Sequence, residues 1–96
     1  MDELKKLEEY LTAQGIPFKR TDEESGKLGF DRHQVTVVDS KGKYLWDAIC
    51  QRGSWGYSQG LLEIYGKGIL GKKKAEPIGY LTAQDVINML ENRKEN

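Results

Sequence analysis

Thiol chemistry is the first chemistry to weigh in this 96-residue chain, because Cys50 is its one cysteine and His33 its one histidine. A histidine beside a cysteine can accept the thiol proton and so create a nucleophilic thiolate. The residues 39–43 fit a hairpin turn with Gly42 in the left-handed position of a G1 bulge, and if Asp39 and Lys43 flank this turn, His33 lies opposite Ile49. In the same register Cys50 opposes Arg32, and since side chains alternate along a strand, His33 and Cys50 are predicted on opposite faces. A register shifted by one residue would reverse this prediction.

Other catalytic and metal-binding patterns in the chain are weak. The run from Gly53 to Gly56 lacks the G-x-S-x-G spacing of a nucleophile elbow, and the sequence has no G-x-x-x-x-G-K-[ST] phosphate loop. His33 beside Asp31 offers too few ligands for a strong metal site. Cysteine is also often buried without any chemistry. The sequence therefore predicts no catalytic residue, no metal site and no cofactor, and favours a protein that is not an enzyme.

The glycine-rich segment after Arg52 carries aromatic residues that are hard to explain as core. Trp55, Tyr57 and Tyr65 lie in a stretch with too many glycines to be buried throughout. Trp, Tyr and Arg dominate the energetic centres of protein–protein interfaces, and glycine-flanked aromatic residues form adaptable contact surfaces. Arg52, Trp55, Tyr57 and Tyr65 are therefore the predicted partner-binding residues, and the partner is predicted to be another protein. The alternative is that Trp46 and Trp55 fill a core short of large side chains.

A second candidate surface is basic. Lys67, Lys72, Lys73 and Lys74 lie in a glycine-bearing segment that could follow a phosphate backbone while aromatic residues stack on bases. The segment contains no arginine and has acidic neighbours, so a solvated loop is the simpler interpretation. Nucleic-acid binding through these lysines is the alternative to protein binding.

Two amphipathic helices are predicted at the ends of the chain. Leucines recur at helical spacing over residues 4–11, and Gly15 followed by Pro17 ends that helix. Thr82 and Asp85 form a capping-box pattern, which predicts the start of the C-terminal helix.

Extended segments are predicted between the helices. Residues 34–38 have the highest strand propensity, and the turn over 39–43 leads into a returning strand over 44–50. Residues 61–65 form a further strand, and a short extended piece lies at 18–21. Residues 22–29 and 68–77 are predicted loops.

The predicted fold is a single α+β domain over residues 1–96. It has a small antiparallel sheet of three to four strands, flanked by the N-terminal and the C-terminal amphipathic helix. In the returning strand, alternation places Tyr44, Trp46, Ala48 and Cys50 on one face.

Composition narrows the class of protein further. Fifteen Lys and Arg balance fifteen Asp and Glu, which argues against an acidic DNA mimic and against a basic footprint over the whole chain. No signal peptide or apolar run of about 18 residues is evident, so a cytoplasmic protein without a membrane partner is predicted. An exposed sheet edge or helix stripe leaves a homodimer open.

Two stretches resemble known sequences. The run LWDAICQRGSWGYSQGLLEIYG (residues 45–66) and the segment GYLTAQDV (residues 79–86) resemble stretches of small bacterial and prophage proteins whose function is unknown. The resemblance implies a phage or mobile-element origin, and it brings no activity, cofactor or catalytic residue with it. An inhibitor of a host defence or nuclease complex would fit that setting.

Overall fold

The computed structural model describes residues 3–23, 32–51, 53–71 and 76–94, without the side chains of 93 and 94. In chain order the helices and strands are α1 (Glu3–Ala13), β1 (Phe18–Glu23), β2 (Arg32–Val38), β3 (Tyr44–Gln51), β4 (Leu62–Tyr65), α2 (Lys67–Leu70), β5 (Ile78–Leu81) and α3 (Ala83–Lys94). A 3₁₀ turn at Tyr57–Gln59 lies between β3 and β4. No helix in these ranges is long and apolar enough to span a membrane.

The five strands form one antiparallel sheet in the order β1-β2-β3-β4-β5, so that each strand pairs with the next along the chain. The predicted α+β class is confirmed, but three to four strands was too few. β5 was missed because it contains Gly79 and a left-handed Tyr80 (φ 59°) and pairs irregularly with β4. The loop predicted over 68–77 was also wrong at its start, which belongs to the short helix α2.

The helices lie on one face of the sheet, where the core is. Leu4, Leu7 and Leu11 of α1 are buried in one cluster with Val35 and Val37 of β2. The same cluster contains a further set of buried side chains from the other elements: Trp46 and Ala48 of β3, Leu62 and Ile64 of β4, Ile69 of α2, and Ala83 and Val86 of α3. We call this side the covered face and the opposite side the open face. The hydrophobic spacing in the sequence correctly predicts which side of α1 is buried.

Both predicted helix ends are confirmed. Gly15 is left-handed (φ 70°), and the N–H of Ile16 donates to the carbonyl of Leu11 at 2.9 Å, as at a glycine-terminated helix. At the start of α3, the N–H of Asp85 donates to Oγ1 of Thr82 at 3.1 Å. The N–H of Thr82 donates back to Oδ2 of Asp85 at 2.9 Å, which completes the capping box.

A β-bulge changes the register of the β2–β3 hairpin just after its turn. Val38 pairs with Tyr44, but Val37 pairs with Trp46, so Leu45 is the extra residue. The prediction that Tyr44 and Trp46 share a face is therefore wrong: Trp46 is 3% exposed in the core, whereas Tyr44 is 46% exposed. Because of the bulge, every residue of β2 before Val38 pairs with a residue one position further along β3 than the predicted register gives.

Candidate functional site

The loop between β3 and β4 is built on its own hydrogen bonds. The hydroxyl of Ser54 donates to the carbonyl of Gln51 at 2.7 Å and accepts the Gln51 N–H at 3.1 Å. Gly56 is left-handed (φ 97°), and its carbonyl accepts the N–H of Leu61 at 2.9 Å. Because these contacts fix the backbone on both sides of Trp55, the loop presents that side chain in a defined place.

Trp55 lies against strands β4 and β5. Its N–H donates to Oε1 of Glu63 at 2.8 Å, and its carbonyl accepts the N–H of Tyr80 at 3.3 Å. A Cβ on Gly79 would lie 2.3 Å from the Cβ of Trp55, so the absence of a side chain at Gly79 is what admits the indole. The Trp55 side chain is nevertheless 52% exposed, which separates it from the buried Trp46.

Tyr44 and Tyr65 extend this aromatic area across the open face. Tyr65 pairs with Asp47, and the Tyr44 hydroxyl donates to Oδ1 of Asp47 at 2.5 Å and to the carbonyl of Tyr65 at 3.2 Å. Gln34 donates to the other oxygen of Asp47 at 3.0 Å. Desolvation, and then the hydrogen bond to Asp47, raise the pKa of the Tyr44 hydroxyl well above its usual range.

We define the aromatic surface as Tyr44, Trp55 and Tyr65, with Tyr80 beside Trp55. Tyr65 is 45% and Tyr80 60% exposed. Sequence reasoning missed Tyr44, because the bulge that turns it outward has no glycine to mark it. It also missed Tyr80, whose left-handed backbone (φ 59°) is unusual for a bulky residue.

The other predicted site residues are placed as follows. Tyr57 is half-buried in the 3₁₀ turn, not part of the exposed area around Trp55. Arg52 lies outside the described residues. Lys67 is exposed at the start of α2. Lys72, Lys73 and Lys74 lie outside the described residues, so the structure brings no lysine cluster together in the part that it describes.

A second arrangement of chemically active side chains lies at one end of the covered face. Asp22 of β1 pairs with His33 of β2, and His33 pairs with Cys50 of β3. The predicted separation of His33 and Cys50 is wrong, because the bulge between Val37 and the turn shifts the register by one residue. Since directly paired residues point to the same side, the carboxylate, the imidazole and the thiol form one row across three strands.

Hydrogen bonds hold the first two members of this row. Nδ1 of His33 lies 2.8 Å from Oδ1 of Asp22. Nε and one terminal nitrogen of Arg20 donate to the same oxygen at 3.0 and 2.9 Å, and the other terminal nitrogen of Arg20 donates to Glu8 of α1 at 2.5 Å. The bond to His33, and then those from Arg20, hold the pKa of Asp22 below its usual range. Asp22 is thus kept as a carboxylate beside the imidazole.

The row opens into a cleft of about 490 Å³, which we call the charged cleft. Its lining includes Glu3, Arg20, Asp22, His33, Cys50 and Leu62. Glu3 accepts the N–H of Ala83 at 2.7 Å, which ties α1 to the start of α3 and lowers the pKa of its carboxyl. No group of three or more His, Cys, Asp and Glu in the described ranges could hold a metal ion.

Sequence reasoning missed Asp22 because the predicted loop began there, and without Asp22 it gave no role to Arg20 in the short extended piece. β1 instead runs on to Glu23. Alternation from Phe18, which packs on the core, would have placed Arg20 and Asp22 on the covered face had the strand been extended.

Comparisons with known proteins found no matching family model, no matching curated protein and no matching solved structure. The resemblance of residues 45–66 to prophage proteins therefore stays a prediction.

Proposed function

We propose that this protein binds another protein through the aromatic surface on the open face of its sheet. The observation that carries the proposal is that Tyr44 and Tyr65 are exposed around Asp47, and that the exposed Trp55 is bonded to Glu63, two residues before Tyr65 on β4. Aromatic side chains held on a rigid scaffold supply large contact area at low cost in conformational entropy.

The scaffold under the aromatic surface supports this proposal. Tyr44 donates to Asp47, which is the strand partner of Tyr65. The backbone of Trp55 is bonded to Glu63 and to Tyr80. Preorganised side chains lose little freedom when a partner binds, so more of the contact energy appears as affinity. The phage or mobile-element origin, and a host defence or nuclease complex as the target, stay narrower predictions that rest on the resemblance.

The test is capture of a partner by tagged protein from a bacterial lysate, compared between the natural chain and a Trp55→Ala, Tyr65→Ala double variant. The retained protein, once purified, should bind the variant at least about 30-fold more weakly, the size expected for losing interface anchors. Glu9→Ala is the matched control, because Glu9 is exposed on α1, on the other side of the molecule. This control should bind as the natural chain does.

Three results would contradict the proposal. Equal binding by the double variant would place the contact elsewhere. A loss of several kcal/mol in the unfolding free energy of the double variant would mean that the two aromatic residues are part of the core. Retention of nucleic acid alone, lost as salt rises, would favour the lysine segment from Lys67 onward.

A further inference from the structure

The row formed by Asp22, His33 and Cys50 has a chemistry that protein binding on the open face does not use. We propose that Cys50 is a reactive thiol, activated by His33, and that the charged cleft takes small disulfides by thiol–disulfide exchange. The inference is independent of the proposed function, because the row lies on the covered face and the aromatic surface on the open face.

The order of the three residues gives each of them a role. Paired residues of an antiparallel sheet have Cβ atoms about 4.5–5.5 Å apart, which brings an imidazole within reach of a thiol. Nδ1 of His33 faces the carboxylate of Asp22, 2.8 Å away on one neighbouring strand. Nε2 is then the nitrogen left for Cys50 on the other neighbouring strand. A carboxylate on the Nδ1 side favours the tautomer whose Nε2 can accept a proton.

Arg20 holds the carboxylate of Asp22 in place, so that Asp22 can position the imidazole of His33. It donates twice to the Asp22 oxygen that faces His33, and it is itself held by Glu8 of α1. A series of side-chain contacts therefore leads from α1 through Arg20 to the Asp22 carboxylate and the His33 imidazole, and Cys50 is the strand partner of His33. The logic is that of an activated nucleophile, a base and an orienting group.

The exchange balances without any further reactant. The Cys50 thiol gives its proton to Nε2 of His33, and the resulting thiolate attacks one sulfur of the small disulfide. The sulfur–sulfur bond of that disulfide breaks, and the new bond joins Cys50 to the attacked sulfur. The displaced thiolate takes the proton back from His33 and leaves as a thiol.

Attack at sulfur fits the described groups better than attack at a carbonyl carbon. Acyl transfer builds negative charge on oxygen and depends on donors arranged to stabilise it. Displacement at sulfur needs a thiolate, a proton carrier and room for the leaving group. The charged cleft supplies that room, at about 490 Å³, and Leu4 and Leu62 give it an apolar wall.

The chain offers a clean experiment, because Cys50 is its one cysteine. Hydroxyethyl disulfide is added to the folded protein and to the same protein unfolded in urea, and the mixed disulfide is followed by mass spectrometry. At pH 7 the folded protein should react about tenfold faster. That is the gain expected when most of an ordinary thiol becomes thiolate and loses part of its intrinsic nucleophilicity. A folded rate equal to or below the unfolded rate would overturn the proposal.

Variants then assign the roles. His33→Asn keeps a donor toward Asp22 but lacks a base, so its folded rate should fall to the unfolded value. The matched control is Gln34→Ala, one residue along β2 on the open face, which should react as the natural chain does. Asp22→Asn should slow the reaction less than His33→Asn. Circular dichroism checks that each variant is folded. If a variant does not fold, the comparison of folded with urea-unfolded natural chain still tests the proposal.

A pH profile of the exchange rate distinguishes activation of the Cys50 thiol by His33 from a rate gain that comes only from the shape of the charged cleft. Among described residues, the charged groups around the pair are Glu3 and Glu8 of α1 and Arg20 and Asp22 of β1. The natural chain should reach its maximal rate well below pH 8.5, whereas His33→Asn should follow an ordinary thiol with a pKa of about 8.5. Identical profiles would show that His33 does not take the thiol proton.

Discussion

The two faces of the sheet put the same strands to different uses. On the covered face Val35, Ala48 and Ile64 are completely buried beneath the helices. On the open face the neighbouring Gln34, Asp47 and Tyr65 carry polar bonds and exposed rings. Because successive residues of a strand point to opposite sides, one short sequence provides both a buried core and an exposed aromatic face. Changes on the covered face should therefore affect folding, and changes on the open face should affect the proposed partner binding.

The covered face is itself divided. Its centre is aliphatic, and its margin at the charged cleft holds Arg20, Asp22 and His33, each still partly open to water. Ion pairs with this exposure contribute little to stability, so the charged margin is better explained by chemistry or by positioning than by folding.

The largest expected effect comes from the centre of the covered face. Leu7 is completely buried between α1 and the sheet, so Leu7→Ala removes apolar contacts and leaves a cavity. We expect the unfolding free energy to fall by about 2–5 kcal/mol, measured by urea denaturation. A domain of this size has little stability to spare, and part of the population would unfold at 25 °C.

The control for Leu7→Ala is Thr36→Ala on the open face. Thr36 is half-buried beside Asp47, outside the core, and its replacement should change the unfolding free energy by no more than about 0.5 kcal/mol. Similar losses from both substitutions would erase the distinction between the two faces.

The same division explains what the sequence could predict. Residues that repeat with a fixed period and end at glycine or a capping box define their element locally, which is why α1 and α3 were predicted. The hairpin turn was also predicted, since Gly42 is left-handed (φ 82°) and Asp39 and Lys43 are joined by a backbone bond.

The register of β2 against β3 was not predictable in the same way. The bulge at Leu45 adds a residue that is neither glycine nor proline, and the segment packed against it comes from later in the chain. Gly66 and Gly68 let the β4–α2 segment approach closely there: a Cβ on Gly68 would lie 2.9 Å from the Leu45 carbonyl oxygen. One extra residue, Leu45, which has no sequence signal of a bulge, thus determines whether His33 pairs with Cys50. The aromatic surface was predicted in part, at Trp55 and Tyr65, because composition alone marks it.

An intermediate effect is expected where the aromatic surface meets the sheet. Gly79→Ala would place a methyl group 2.3 Å from the Cβ of Trp55, which cannot be accommodated without moving the loop or β5. We expect a loss of about 1–3 kcal/mol in unfolding free energy from overpacking, together with weaker partner binding. Denaturation and the binding titration measure the two effects separately.

The control for Gly79→Ala is Gly79→Ala combined with Trp55→Gly, which removes the Cβ that the new methyl group would meet. If the clash with Trp55 is the cause, the second substitution should restore part of the stability, but it should leave binding weak. No recovery of stability would show that the strain lies in the backbone of β5 and not against the Cβ of Trp55.

The smallest effect is expected at the charged margin of the covered face, and it depends on pH. The pKa of Asp22 is lowered in the folded protein, chiefly by His33 and then by Arg20, so the contribution of Asp22 is present above the unfolded value of 3.8. It is lost as pH falls through the folded pKa. Between pH 6 and pH 2, urea denaturation should show a shallower loss for Asp22→Asn than for the natural chain, by at most about 1 kcal/mol. Glu9→Gln, on the exposed side of α1, should follow the natural chain, and a parallel curve for Asp22→Asn would show that the carboxylate positions His33 without stabilising the fold.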